Sequence, residues 1–268
     1  MKNYRFDFTG KTVVITGALG GFGAKATQVF KVLGADVIGL EKDCARYSNT
    51  DNIDHLVEVD VANLASVAKA LKKIDEKYDQ IDVLINNAGI REIKTILEIE
   101  PDEFARVISV NLNGTFYCSR EAALRMVKKS AGNIILIASV CSVIAMPNRP
   151  AYTASKHAII GLTKNLATDL SPHGIRVNAV APRTIRTPST EAYYHDAEFL
   201  KDLDLTVPLG SQKGTVDDIV NEFLFLASPF ADFMTGTALV VDGGWSNTKV
   251  VGYWPNSPHT KASSGTKL

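Results

Sequence analysis

The sequence predicts an α/β fold, a doubly wound parallel sheet of about seven strands with helices on both faces. Three observations carry this. Short apolar, β-branched runs recur along the 268-residue chain, they alternate with longer stretches of helical period, and the first run opens into a glycine-rich turn. Strands that are apolar on both sides need cover on both sides, and intervening helices supply it.

The strand-like runs, in order, are TVVITG (12–17), ADVIGLE (35–41), HLVEVD (55–60), IDVLIN (81–86), NIILIAS (133–139), IRVNAVAP (175–182) and TALVVDGG (237–244). Helical period fills 22–33, 63–78, 102–129, 151–170 and 216–227. Residues 182–213 break the rhythm. They carry clustered charges and the aromatics Tyr193, Tyr194 and Phe199 with no strand, which reads as an excursion off the sheet that covers a substrate. The tail, 246–268, is polar and is expected to be loosely ordered unless Val250, Val251, Tyr253 and Trp254 dock. With no repeat and no flexible linker, 1–268 reads as one domain.

Charge and composition narrow the function. The 29 basic and 29 acidic side chains balance, so electrostatics gives no argument for nucleic acid or anionic membrane as a partner. No run approaches the roughly 18 to 20 apolar residues of a membrane span. The N-terminus, MKNYRFDFTGK, has no signal-peptide core. Cys44, Cys118 and Cys141 are too far apart to suggest a disulfide framework or a metal site. The expectation is a reduced, cytoplasmic, metal-free protein; the final TKL is only a degenerate match to a peroxisomal address.

Gly17, Gly21, Phe22 and Gly23 join the first strand to the first helix. Glycines there allow a tight turn and close backbone approach, and the helix N-terminus offers free N–H groups to a pyrophosphate. Glu41 ends the second strand, where a carboxylate would accept hydrogen bonds from an adenosine ribose and repel a 2′-phosphate. That favours NAD over NADP, although the adjacent Lys42 is the kind of residue that accommodates the phosphate. Further along, Tyr152 and Lys156 lie one helical turn apart, and Ser139 precedes the tyrosine by thirteen residues. A tyrosine and lysine at this spacing, taken alone, are usually a chance pair on a helix edge.

Taken together, these motifs resemble the short-chain dehydrogenase/reductase family over residues 10–245. The matching stretches are Thr16-Gly17-x3-Gly21-x-Gly23, DV at 60–61, NNAG at 86–89, Asn111 in SVNLNG, Ser139, Tyr152-x3-Lys156, PLG at 208–210 and TGTALVVDGGW at 235–245. The resemblance implies a three-layer Rossmann-type fold, a homodimer or homotetramer, and NAD(P)-dependent transfer of a hydride between cofactor and a secondary alcohol or ketone. It further implies that Asp60 and Val61 sit at the adenine and that Asn87 and Gly89 line the cofactor channel. Pro182, Ile185 and Thr187 would lie at the nicotinamide. One position departs from the pattern: Arg183 follows Pro182 where the family usually has glycine, putting a side chain near the expected nicotinamide.

The chemistry needs a base for the hydroxyl proton. A free tyrosine, with pKa about 10, is a poor one near neutrality. The ammonium of Lys156, with an oxidised nicotinamide, would favour the phenolate; a three-unit shift corresponds to about 4 kcal/mol. Tyr152 is then the general acid/base, Ser139 orients the substrate oxygen and Lys156 also holds the nicotinamide ribose. Asn111 anchors a water in the proton relay, a role taken from the resemblance.

Candidate substrate contacts are Arg91, Cys141, Met146, Arg149 and Arg183. The three arginines are suited to an anionic group. The acidic lid (Glu191, Asp196, Glu198, Asp202, Asp204) argues against an anion-attracting entrance, and its aromatics suit a cyclic or apolar alcohol equally well. A sugar epimerase would show other glycine spacing, and an enoyl reductase would separate tyrosine and lysine by six residues. The rival of another class is a catalytically silent NAD-binding regulatory or scaffold protein on the same fold.

Overall fold

The computed structural model describes residues 5–47, 50–210 and 214–247. Seven strands form one parallel sheet in the order β3-β2-β1-β4-β5-β6-β7. They are β1 (Thr12–Thr16), β2 (Asp36–Glu41), β3 (His55–Glu58), β4 (Val83–Asn86), β5 (Gly132–Ile137), β6 (Ile175–Pro182) and β7 (Ala238–Val241). Six of the seven strand-like runs contain their strand, most with trimmed ends, and β5 begins one residue before its run, at Gly132. β1 is buried at all five positions, as its unbroken apolar sequence requires.

The helices are α1 (Gly21–Val32), α2 (Leu64–Asp75), α3 (Pro101–Ile108), α4 (Gly114–Lys129), α5 (Pro150–Leu170), α6 (Ala197–Thr206) and α7 (Val216–Ala227). Two apolar layers sandwich the sheet. Val14, Ile38, Leu84, Ile134 and Val177 pack with α2, α4 and α5, whereas Val13, Ile15, Val37, Ile85 and Ile135 pack with α1 and α7. Alternate residues of each strand thus feed opposite layers.

Two expectations needed correction. The segment 102–129 is interrupted: after α3, Ser109–Asn113 form a π-helical turn before α4 begins. Such single wide turns insert one extra residue and often occur at functional sites. The lid, read as a strandless excursion off the sheet, also holds a helix that the sequence reading did not place. This is α6, whose start is capped by Asp196 accepting from the N–H groups of Glu198 and Phe199. The tail residues from 248 onward, with Val250, Val251, Tyr253, Trp254 and the TKL terminus, lie outside the described residues.

The strand order reverses direction between β1 and β4, which opens a crevice at the carboxyl ends of the strands, where such sheets bind ligands. Gly17, Glu41, Asp60, Asn87, Ser139 and Pro182 all lie at or just beyond those ends.

Candidate active site

The glycine turn is shaped by contacts no side chain would permit. Gly17 (φ +62°) and Gly21 (φ +49°) hold left-handed backbone, and a Cβ on Gly23 would stand 2.1 Å from the Gly17 carbonyl oxygen. Asn87 Nδ2 donates to the carbonyls of Thr16 (3.1 Å) and Gly17 (2.9 Å). The buried Thr16 hydroxyl accepts from the N–H groups of both Asn87 and Ala88 at 3.0 Å. These bonds lock the β1 and β4 ends together. α1 then starts without a side-chain cap and without an acidic residue in its first turn, leaving its N–H groups for an anion. Phe22 is half-buried against the apolar layer beneath, and the Thr187 methyl lies 3.6 Å from the position of a Gly21 Cβ.

Glu41 faces this turn, with Oε2 accepting from the Leu19 N–H at 3.3 Å. Lys42, the residue that weakened the expectation of NAD, is held by Asp60 at 2.7 Å. Asp60 also accepts from the Ala62 N–H, and these bonds hold its carboxyl below the usual range. Val61 packs where a Cβ on Gly114 would stand, 3.0 Å from its Cγ2.

Asn111 lies in the π-helical turn with its amide turned into the protein. Its Oδ1 accepts from the Ile90 N–H and its Nδ2 donates to the Ile90 carbonyl, both at 2.8 Å, with a further bond to Ser155 Oγ at 3.1 Å. The side chain thus braces the chain leaving β4 against α5. Gly89 sits beside it, its added Cβ falling 3.3 Å from Asn111 Oδ1 and 3.9 Å from Lys156 Nζ.

Lys156 is 3% exposed, and its Nζ donates to the Ile137 carbonyl at 2.6 Å. It lies 5.6 Å from the centroid of the Tyr152 ring. Burial lowers its pKa to about 8. Tyr152 does not show the depressed pKa expected from its lysine neighbour. Burial raises it, outweighing the hydrogen bond with Ser139 and the nearby charges of Arg91 and Arg149. The physical reason is that low-dielectric surroundings disfavour the phenolate more than these groups favour it in the cofactor-free chain. Ser139 is buried at the carboxyl end of β5, and its Oγ accepts from the Cys141 N–H at 3.1 Å. Cys141 is buried too, and burial pushes its thiol up, away from a reactive thiolate.

The substrate candidates divide. Arg149 donates to the Glu92 carbonyl (2.7 Å) and to the Tyr193 hydroxyl (2.8 Å). Arg91 donates to the Ser189 carbonyl and lies over the same Tyr193 ring, 5.2 Å from its centroid. Arg183 turns elsewhere. Its backbone N–H donates to the Val241 carbonyl, and its guanidinium stacks on Trp245 at 4.7 Å, facing the charges of Asp202 and Asp242. Met146 is half-buried in the loop before α5, and among the described residues no hydrogen bond joins it to the others. Pro182 ends β6; Ile185 is buried, and Thr187 is fixed by bonds to Thr190.

The sequence reading missed Glu92. Its buried Oε1 accepts from the N–H groups of Ala151 (2.7 Å) and Tyr152 (3.0 Å), the first turn of α5, while Oε2 is buried without a partner. No local signal marks it, because the bond spans about sixty residues of sequence.

A family model described as Enoyl-(Acyl carrier protein) reductase matches residues 17–246. The chain is 36% identical over 241 residues to a 3-oxoacyl-(acyl-carrier-protein) reductase FabG from Rickettsia typhi, covering 89% of this chain and 98% of that one. It belongs to the short-chain dehydrogenase/reductase family. Among solved members, a 4-hydroxyisoleucine dehydrogenase complexed with NADH matches with TM-score 0.84 and 38% identity, covering 90% of this chain and 100% of that one. A gluconate 5-dehydrogenase from Burkholderia cenocepacia, in complex with NADP and tartrate, gives TM-score 0.84 and 31% identity over 91% and 98% of the two chains. The short-chain dehydrogenase/reductase described here is thus an oxidoreductase that uses a nicotinamide cofactor. Among the described residues no helix is long and apolar enough to cross a membrane, and no cluster of metal-ligand side chains occurs.

Two outcomes follow for this member. An unfolded lysine titrates near 10.5 and Lys156 at about 8, so between those values the unfolded chain holds the extra proton and stability rises with pH. Below both, the full penalty stands, on the order of 3 kcal/mol before the bond to Ile137 is counted. In urea titrations of cofactor-free protein at pH 7, Lys156→Met is expected to be more stable than wild type by about 1–3 kcal/mol. That gap should close toward pH 10. Glu92→Ala should cost about 1–3 kcal/mol in the same assay, because two helix N–H groups lose their acceptor.

Proposed function

We propose that this enzyme interconverts a secondary alcohol and its ketone, with NAD the preferred cofactor and Tyr152 carrying the proton. The observation that supports this most directly is the grouping of Tyr152, Ser139 and Lys156 at the carboxyl ends of the strands, beside the glycine turn. The cradle fits a dinucleotide: Gly17 and Gly21 hold left-handed backbone, Gly23 lies too close to the Gly17 carbonyl for any Cβ, and an uncapped helix start follows them. Gly17, Gly21, Gly23 and the α1 N–H groups would hold the pyrophosphate, with Phe22 beside them; Glu41 would hold the adenosine ribose. Asp60 and Val61 would border the adenine, Asn87 and Gly89 the channel, and Pro182, Ile185 and Thr187 the nicotinamide.

In oxidation, Ser139 Oγ hydrogen-bonds the substrate oxygen, and the Tyr152 phenolate takes the hydroxyl proton as the carbon–hydrogen bond breaks. A nicotinamide held there would supply the hydride acceptor and, when oxidised, a positive charge. Reduction runs the same path backward, with the phenol donating. Lys156 supplies a nearby cation below its pKa of about 8 and would hold the nicotinamide ribose. The Asn111 amide is engaged by Ile90 and Ser155, so its part in a water relay would use its remaining Oδ1 lone pair or its backbone.

NAD is favoured because Glu41 already faces the turn and because Asp60 holds Lys42 away from a 2′-phosphate. Assembly into a homodimer or homotetramer is supported by apolar side chains left exposed on the α3 and α4 surface, Phe104, Phe116 and Leu124. The substrate is a small molecule; a cytoplasmic enzyme of one domain remains the reading.

The test is NADH formation at 340 nm across hydroxy acids, polyols and cyclic alcohols. Tyr152→Phe is expected to lower kcat by about a thousandfold while leaving the Kd for NAD nearly unchanged. Because burial raises the phenol pKa, oxidation should accelerate with rising pH and reduction should slow. Unchanged turnover in Tyr152→Phe would overturn the assignment, and cofactor binding without turnover of any alcohol would favour a silent regulatory protein. Glu41→Gln should raise kcat/KM with NADP by about tenfold relative to NAD, about 1.4 kcal/mol.

A further inference from the structure

Arg91 and Arg149 differ from the other half-buried arginines. Arg125 pairs with Asp75 and Glu121, Arg176 faces Asp232, and Arg183 faces Asp202 and Asp242. Arg91 and Arg149 have only neutral partners among the described residues: two backbone carbonyls and the hydroxyl and ring of Tyr193. A guanidinium partly removed from water is ordinarily matched by a carboxylate or phosphate, and its planar fork favours bidentate pairing. Both cations stand near the Tyr152 phenol. They converge on a lid residue, so the group that occupies them is at the mouth of the site.

We propose that Arg149 and Arg91 form a subsite for a carboxylate of the substrate, and that Tyr193 of the lid occupies it until the substrate arrives. This rests on the alcohol–ketone reading of the site and narrows it to hydroxy acids and their keto acids. Three of the five acidic residues of the lid are engaged elsewhere. Glu191 is paired with Arg186 and with His195, Asp196 caps α6, and Asp202 faces Arg183. Glu92, the acid adjacent to Arg91, directs its carboxylate to the start of α5 and offers Arg149 only its backbone carbonyl. A carboxylate entering the subsite would exchange a phenol for a charged acceptor on Arg149. Tyr193 would then be released and the lid would open at that point.

The experiment uses NADH-loaded enzyme and malonate, which carries carboxylates and no alcohol, against the uncharged malonamide, read by thermal shift and by titration calorimetry. Malonate should bind and malonamide should not. Arg149→Gln should weaken malonate at least tenfold while still binding NADH, which shows that the variant is folded. Tyr193→Phe keeps the ring over Arg91 and removes the competing hydroxyl, so malonate should bind it several times more tightly. Equal binding of malonate and malonamide, unchanged malonate affinity in Arg149→Gln, or weakening by Tyr193→Phe would each overturn the proposal. The last would leave the arginines as lid anchors alone. Because no turnover is read, failure here is separate from failure of the catalytic assignment, which Tyr152→Phe tests.

Discussion

The chain leaving β4 must find partners for backbone groups that no longer have a neighbouring strand, and the site depends on how it does so. Over residues 87–92 side chains of Thr16, Asn111 and Arg149 meet several of those groups, and the strip's own side chains tie it outward in turn. Thr16 and Asn87 fasten the segment to the glycine turn, Asn111 fastens Ile90 to the π-helical turn, and Glu92 fastens the start of α5. The cofactor cradle, the brace and the tyrosine-bearing helix therefore share one strip of backbone. Each tie is a hydrogen bond in a buried or half-buried place, where leaving a partner unmatched is costly. Relative positions at the site follow from this strip more than from the helices individually.

Burial also sets the electrostatics. Lys156 is buried and Tyr152 half-buried, and loss of water acts on them in opposite directions: the phenol holds its proton more tightly and the ammonium less so. The phenol thus keeps its proton unless a further positive charge is brought beside it. A dry site strengthens each charge placed in it.

Much of this was legible in the sequence, for identifiable reasons. Strand periodicity and glycine spacing are local signals, so β1 through β7 and the turn at Gly17–Gly23 could be read directly. Tyr152 and Lys156 needed their motif context, since two residues a helical turn apart say little alone. Glu92 and the Tyr193 latch could not be read, because their meaning lies in contacts across long stretches of chain. Arg183 stacks on Trp245, a partner sixty-two residues later in the sequence, a contact no local signal could have announced. The π-helical turn was invisible because 102–129 keeps an uninterrupted helical pattern.

That turn has a consequence for the tolerance of the chain to change. Ser109–Asn113 holds one residue more than a regular helical turn would. Removing one residue would let the turn close into regular α-helix, the flanking helices keeping their phase while the side chains within the turn shift around the axis by up to about 100°. Asn111 would swing away from Ile90 while Phe104 and its neighbours kept their face. Substitutions alter one side chain at a time, but a change in length here re-aims every side chain of the turn. The segment is therefore fixed in residue number more strictly than in residue identity.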